Sequence, residues 1–84
     1  MNEHAVQITK EMTNFESDSD WFYKNIETMR KKGFIGKFVA IKKGEIIASG
    51  VDFALVVKMV ENKGLNPAYV VIEFVYPEGT IILF

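Results

Sequence analysis

The spacing of apolar residues along the chain predicts two helices. Apolar side chains recur three and four residues apart over about residues 20–32 and again over about residues 53–63, as on one face of an amphipathic helix. The run Ser17–Asp20 predicts the start of the first helix, because short oxygen-bearing side chains accept the unpaired amides of a first turn. Gly33 and Gly64 predict the two helix ends.

Four further segments carry the β-branched and aromatic residues that are typical of strands. Residues 37–42 and 45–49 predict a hairpin, and its tight turn is Lys43-Gly44 because glycine tolerates the positive φ that such turns require. Residues 68–75 predict a third strand and residues 80–84 a fourth.

The order of these elements predicts the fold class. Helix, strand, strand, helix, strand, strand favours an α+β domain of two layers, with a four-stranded mixed sheet and the helices on one face. Two strand orders are open: one places the first and last strands together in the centre, and the other places the first strand beside the third. The continuous apolar character of the last strand slightly favours the first order.

Residues 1–16 form an arm that precedes the single domain, which spans residues 17–84. The apolar side chains of the arm are spaced three, four and three residues apart, at Ala5, Ile8, Met12 and Phe15. This spacing predicts an additional amphipathic helix that docks on another surface. A frayed tail is the alternative that the same sequence leaves open.

Composition excludes several classes of chemistry. The 84 residues include no cysteine and one histidine, His4, which excludes disulfides, thiol chemistry and cysteine-based zinc sites. Apolar runs are shorter than the roughly 20 residues that span a bilayer, and the N-terminus lacks the pattern of a signal peptide. We therefore expect a cytoplasmic protein without membrane contact. Nine Lys to one Arg and eight Glu to three Asp is a bias typical of thermophile proteins.

The net charge of −1 conceals an uneven distribution. Residues 24–43 hold seven bases and one acid, a net +6, whereas the remainder holds three bases and ten acids, a net −7. Aromatic side chains interleave with these bases, as in surfaces that bind single-stranded nucleic acid. Six basic residues form this candidate anion-binding set: Arg30, Lys31, Lys32, Lys37, Lys42 and Lys43.

No recognisable catalytic constellation emerges from the sequence, and we expect neither an enzyme nor a cofactor. Gly33–Lys37 departs from a phosphate loop, because two residues rather than four separate its glycines and Phe38 follows the lysine. Glu73 is the one acid within an apolar strand, and strand alternation predicts that it faces solvent or pairs with a lysine. Ser49 has no histidine partner for nucleophilic catalysis.

Three stretches of the chain carry a family resemblance: Gly36–Ile41, Gly44–Gly50 and Glu73–Gly79. Together they resemble a family of short, largely archaeal and bacterial proteins that is catalogued as a domain of unknown function. The resemblance covers roughly residues 20–84. It implies the fold outline and a prokaryotic cytoplasmic setting, and it implies no activity. The second helix departs from the family pattern, because Ala54–Val57 stands where members tend to be rich in Glu and Lys.

An excess of apolar residues is the strongest functional signal in the sequence. The second helix is apolar over most of its circumference, and a helix of this kind is usually covered on two sides. The predicted interface comprises Leu55 and Met59 on that helix, with Ile8 and Met12 of the arm. We therefore expect a non-enzymatic protein-interaction module that forms a homodimer or binds a protein partner. A nucleic-acid-binding domain is the alternative.

Overall fold

The computed structural model describes residues 15–79. Its helices are α1 over residues 15–24, α2 over Ile26–Lys31 and α3 over Phe53–Asn62. Its strands are β1 over Phe38–Lys42, β2 over Glu45–Gly50 and β3 over Val71–Phe74, and a 3₁₀ turn, Pro67–Tyr69, precedes β3. The chain is therefore α+β, as the order of elements predicts.

The first helical region differs from its prediction in two ways. Residue 15 is already helical, so Ser17–Asp20 lies within α1 rather than at its start. The predicted single helix over residues 20–32 is also interrupted at Asn25, where the backbone has φ −112° and ψ 11°. The Asn25 side-chain amide donates to the Trp21 carbonyl at 2.8 Å, a local bond that competes with the regular helix ladder.

The sheet has the order β2-β1-β3, and both pairs of neighbouring strands are antiparallel. The first strand therefore lies beside the third, and the order with the first and last strands in the centre is wrong, because β2 and β3 occupy both edges of β1. The prediction of a mixed sheet is also wrong for the described strands. The predicted fourth strand, residues 80–84, lies outside the described residues.

Helices cover both faces of the sheet, so the prediction of two layers with helices on one face is wrong. Phe22 of α1 and Met29 of α2 pack against Val39 and Ile41 on one face. On the other face, α3 packs against the sheet through Val56 and Val60. Their partners in this second core are Ala40, Ala48 and Val70. Central strand β1 is apolar in both of its alternating sets, and it is fully buried from Val39 to Ile41. A strand of this kind needs cover on both sides.

The hairpin between β1 and β2 has the turn that the sequence predicts. Lys43 and Gly44 both have positive φ, 52° and 71°, as in a type I′ turn. Asp18 of α1 is 4% exposed, and its carboxylate accepts the amides of Lys43 at 3.0 Å and Gly44 at 2.9 Å. The acid that the sequence suggested as a helix cap therefore joins α1 to this turn.

The third strand begins later than predicted. Asn66 accepts the Ala68 amide through its side chain at 3.0 Å, and Pro67 follows as the first residue of a 3₁₀ turn. Proline has no amide to donate and its fixed φ suits such a turn. Pairing with β1 consequently starts at Val71 rather than at residue 68.

Candidate interaction surface

Two of the four residues of the predicted interface, Leu55 and Met59, lie in the described part of the chain. Leu55 is 51% exposed on α3. Met59, one turn further along, is half-buried and packs against the core between α3 and the sheet. Ile8 and Met12 lie outside the described residues. Among the four residues, Leu55 is therefore the one that lies within the described range and is largely exposed.

Four aromatic rings form an unbroken line from the start of α3 to the residues that follow β3. The Phe53 and Phe38 centroids are 5.5 Å apart, those of Phe38 and Phe74 5.0 Å, and those of Phe74 and Tyr76 4.9 Å. The interplanar angles lie between 59° and 76°, the tilted and edge-to-face geometry that aromatic pairs prefer.

Strand register creates this line. Phe38 lies opposite Phe74 on one side and opposite Gly50 on the other, so the β2 position of the same row carries no side chain. A Cβ atom at Gly50 would lie 3.4 Å from Val56 and 3.7 Å from Leu55. Val56 and Leu55 of α3 therefore lie directly over Gly50 at this end of the sheet.

Exposure of the flanking residues makes the line a surface feature. Phe53 is 50% exposed and Tyr76 37%, and Val51, beside Gly50 in the chain, is 72% exposed. We use the name aromatic ridge for the four rings and for the two exposed aliphatic residues that lie two positions before and after Phe53 in the chain: Phe38, Phe53, Phe74, Tyr76, Val51 and Leu55. None of these side chains is charged or polar except for the Tyr76 hydroxyl.

Sequence reasoning missed most of the aromatic ridge. The apolar spacing over residues 53–63 predicts a helix without showing that Phe53 is exposed, and Phe74 falls within the predicted third strand. These three aromatic residues share a position at the end of an element: Phe38 begins β1, Phe74 ends β3 and Phe53 begins α3. These positions meet only when β1 lies beside β3, and the local sequence does not determine that order.

The six basic residues of the anion-binding hypothesis are distributed over α2, the segment before β1, β1 itself and the hairpin turn. Arg30 donates through Nε to the Tyr76 carbonyl at 2.9 Å and forms an ion pair with Glu27. Lys37 and Lys42 lie at opposite ends of β1, and five residue steps of a strand span roughly 17 Å. Lys31 and Lys43 are exposed on α2 and the hairpin turn, respectively.

Lys32 lines an open groove between the helices and the hairpin. The groove has a volume of about 450 Å³, and its walls are Trp21, Lys32, Phe34, Gly44, Glu45 and Ile46. Glu45 places a carboxylate in the same groove as the Lys32 ammonium. The groove is therefore of mixed charge, which does not favour a polyanion.

Glu73 lies beside Tyr23 of α1 and is partly exposed. The β1–β3 register places it opposite Val39, on the face that α1 and α2 cover. Burial raises the pKa of the Glu73 carboxyl, and a hydrogen bond from the Tyr23 hydroxyl partly offsets this effect. The charge of Glu73, together with burial and this hydrogen bond, raises the pKa of Tyr23. The partner of the partly exposed Glu73 is therefore a tyrosine and not the lysine that the sequence suggested.

Metal-ligand clusters and membrane-spanning helices are both absent from residues 15–79. No group of three or more histidine, cysteine, aspartate or glutamate side chains in this part of the chain is arranged to hold a metal ion. No helix there combines the length and hydrophobicity that crossing a membrane requires.

Comparison with known proteins finds no match to a family model, a curated protein or a solved structure. The resemblance to a family of short prokaryotic proteins therefore stays a prediction.

Proposed function

We propose that this chain is a non-enzymatic protein-interaction module that associates with a second copy of itself through the aromatic ridge. The unbroken line of four rings, with half-exposed Phe53 at one end and Tyr76 at the other, is the observation that carries this proposal. Aromatic residues are enriched at the centres of protein interfaces, because they bury large areas with little loss of side-chain entropy.

The composition of the aromatic ridge favours removal from water. Val51, Phe53 and Leu55 are each at least half exposed, and burying an aliphatic or aromatic side chain completely contributes about 1.5–3 kcal/mol. No charged side chain belongs to the ridge, so its burial carries no large desolvation cost. The ridge therefore has the apolar centre that an interface requires.

The size of the aromatic ridge sets the expected affinity. With roughly 150–250 Å² for a whole aromatic side chain, the exposed parts of its six members amount to about 400 Å². A standard interface buries about 800 Å² on each partner. The ridge alone consequently supports a weak, reversible dimer rather than an obligate one.

The low net charge favours a second copy of the chain as the partner that binds the aromatic ridge. The net charge of the chain is −1, and proteins with a net charge near zero associate without strong mutual repulsion. An uncharged ridge also lacks the fixed charges that would select a partner of opposite sign. Two identical ridges meet in a twofold arrangement, in which each surface is its own complement.

Sedimentation velocity of the purified chain between about 10 μM and 1 mM tests this proposal. We expect the sedimentation coefficient to rise with concentration, and the rise to be lost in Val51→Glu, because a carboxylate at this highly exposed position would be buried in the dimer. Lys58→Gln is the matched control, since it changes the net charge equally on the polar side of α3. A wild-type chain that stays monomeric at 1 mM contradicts the proposal, as does association that Val51→Glu leaves intact.

Binding of single-stranded nucleic acid is the second candidate function. Lys37 directly precedes Phe38 of the aromatic ridge, and bases stack on aromatic side chains while lysines contact phosphates. This candidate predicts salt-dependent retention of a fluorescent oligonucleotide, lost in Lys37→Glu and kept in Lys63→Glu. Fluorescence anisotropy at low salt measures it, and an unchanged signal at high micromolar protein concentration excludes it.

A further inference from the structure

The open groove between the helices and the hairpin contains two exposed side chains of opposite charge. Lys32 lies directly after α2 and Glu45 begins β2, and both line the groove. The Lys32 ammonium and the Glu45 carboxylate lie more than 4.0 Å apart, since no ion pair joins them in the described part of the chain. The groove therefore has one site for an anionic group and a separate site for a cationic group.

Apolar side chains form most of the remaining wall. Trp21, Phe34 and Ile46 line the groove, and all three are partly buried against the core between the helices and the sheet. Small-molecule sites commonly have such apolar and aromatic walls, with a few polar groups that orient the ligand. The groove volume of about 450 Å³ lies in the lower part of the range for these sites. The walls therefore suit a small ligand with an apolar body.

Hydrogen bonds and close packing hold the walls in place. The Gly44 amide donates to the buried Asp18 carboxylate at 2.9 Å, which fixes the hairpin turn against α1. A Cβ atom at Gly44 would lie 3.5 Å from Cδ1 of Trp21, so the edge of the indole lies against the turn. At the end of α2, the Phe34 amide donates to the Met29 carbonyl at 3.1 Å. Walls that are already in place reduce the entropy cost of binding a ligand.

We propose that this groove binds a free α-amino acid with an apolar side chain. The carboxylate of the ligand pairs with the Lys32 ammonium, and the ammonium of the ligand pairs with the Glu45 carboxylate. The side chain of the ligand lies against Trp21 and Phe34. Lysine has a flexible four-carbon stem, so the Lys32 ammonium can adjust to the position of the bound carboxylate.

The mixed charge of the groove favours a zwitterion over ligands that carry one sign of charge. Glu45 repels an anion such as a nucleotide, and Lys32 repels a simple cation. The hairpin turn beside the groove lies at the opposite end of the sheet from the aromatic ridge. Binding in the groove is therefore independent of the proposed self-association.

The fluorescence of Trp21 tests the proposal directly, because this residue is the single tryptophan of the chain. We expect L-leucine to change its emission in a saturable manner, with a dissociation constant on the order of millimolar because an open groove leaves part of a small ligand in water. Three analogues each lack one of the recognised features and should bind more weakly. Glycine lacks the apolar side chain, L-leucinamide lacks the carboxylate and N-acetyl-L-leucine lacks the ammonium.

Two outcomes of this titration would overturn the proposal. One is the absence of a saturable change at up to about 100 mM L-leucine. The other is binding of L-leucinamide or N-acetyl-L-leucine with the same affinity as L-leucine, because the groove would then not recognise both charges.

Neutral variants at the two charged positions locate the ion pairs. We expect Lys32→Gln and Glu45→Gln each to weaken L-leucine binding about two- to fivefold, as for the loss of an exposed ion pair. Lys31→Gln, at the exposed last residue of α2, and Glu61→Gln, at an exposed residue of α3, are the matched controls and should bind like the wild type. Unchanged affinity in both groove variants, or equal losses in the groove variants and the controls, contradicts the proposed pairing.

Discussion

Two backbone amides of the β1–β2 turn and one buried carboxylate connect α1 to that turn. Asp18 is nearly fully buried and accepts from Lys43 and Gly44, and a bond of this charge-assisted kind contributes about 1.5–3 kcal/mol. We predict that Asp18→Ala lowers the free energy of unfolding by about 2–4 kcal/mol, because it leaves both amides without a partner. Urea denaturation measures the loss.

Asp20 provides the matched control for this prediction. It lies in the same helix, two residues further along, and it is exposed. Asp20→Ala removes the same charge without breaking the contact with the hairpin turn, so its effect should stay within about 0.5 kcal/mol. Equal losses in the two variants would show that helix charge, and not the turn contact, is what Asp18 supplies.

Glu73 predicts a pH dependence of stability. Burial raises its pKa above the ordinary value of 4.5, so folding favours the neutral carboxyl. Stability is therefore highest below the unfolded-state pKa, and it falls as pH rises from about 4.5 through the raised folded-state pKa. We predict that Glu73→Gln gains stability relative to the wild type as pH rises, by less than about 1 kcal/mol since the group is partly exposed.

Thermal denaturation at pH 4 and pH 7 checks this prediction. The melting temperature of Glu73→Gln, relative to the wild type, should be higher at pH 7 than at pH 4. Glu78→Gln, in the exposed turn that follows β3, should show no such difference. An offset between Glu73→Gln and the wild type that is the same at both pH values would contradict the assignment.

At the scale of elements, the sequence correctly predicted the features that depend on residues close together in the chain. The hairpin turn at Lys43-Gly44 is confirmed, because positive φ at both positions is a requirement of the turn itself. The second helix is confirmed as α3, and Asp52 caps it through a hydrogen bond from the Ala54 amide at 2.9 Å. Both features depend on residues within four positions of one another.

Long-range arrangements were predicted poorly for a physical reason. The partner of β1 on its second edge and the face that each helix covers depend on contacts between residues far apart in the chain, such as Val39 with Glu73. Apolar residues occupy both faces of β1, yet apolar content alone does not show whether helices cover one face of a sheet or both. Asp18 illustrates the same limit. An aspartate can cap its own helix or accept hydrogen bonds from a distant turn, and the sequence does not distinguish these two roles.

At the scale of the whole molecule, the fold places its surface features at opposite ends of the sheet. The aromatic ridge lies where β1 begins and where β2 and β3 end, whereas the β1–β2 turn and Asp18 lie at the other end. The +6 segment of the sequence extends over both ends and includes the paired Arg30. The charge of this segment is consequently spread over the molecule. The aromatic ridge, in contrast, is one continuous apolar feature of the described surface.

Chemical-shift changes on dilution test most directly whether the aromatic ridge is the self-association surface. Amide and aromatic spectra of the wild-type chain, recorded from about 1 mM down to 20 μM, should change at Val51, Phe53, Leu55 and Tyr76. The amides of Lys43 and Gly44, in the turn at the other end of the sheet, should stay constant. Spectra that are independent of concentration, or changes confined to Lys43 and Gly44, would contradict this account.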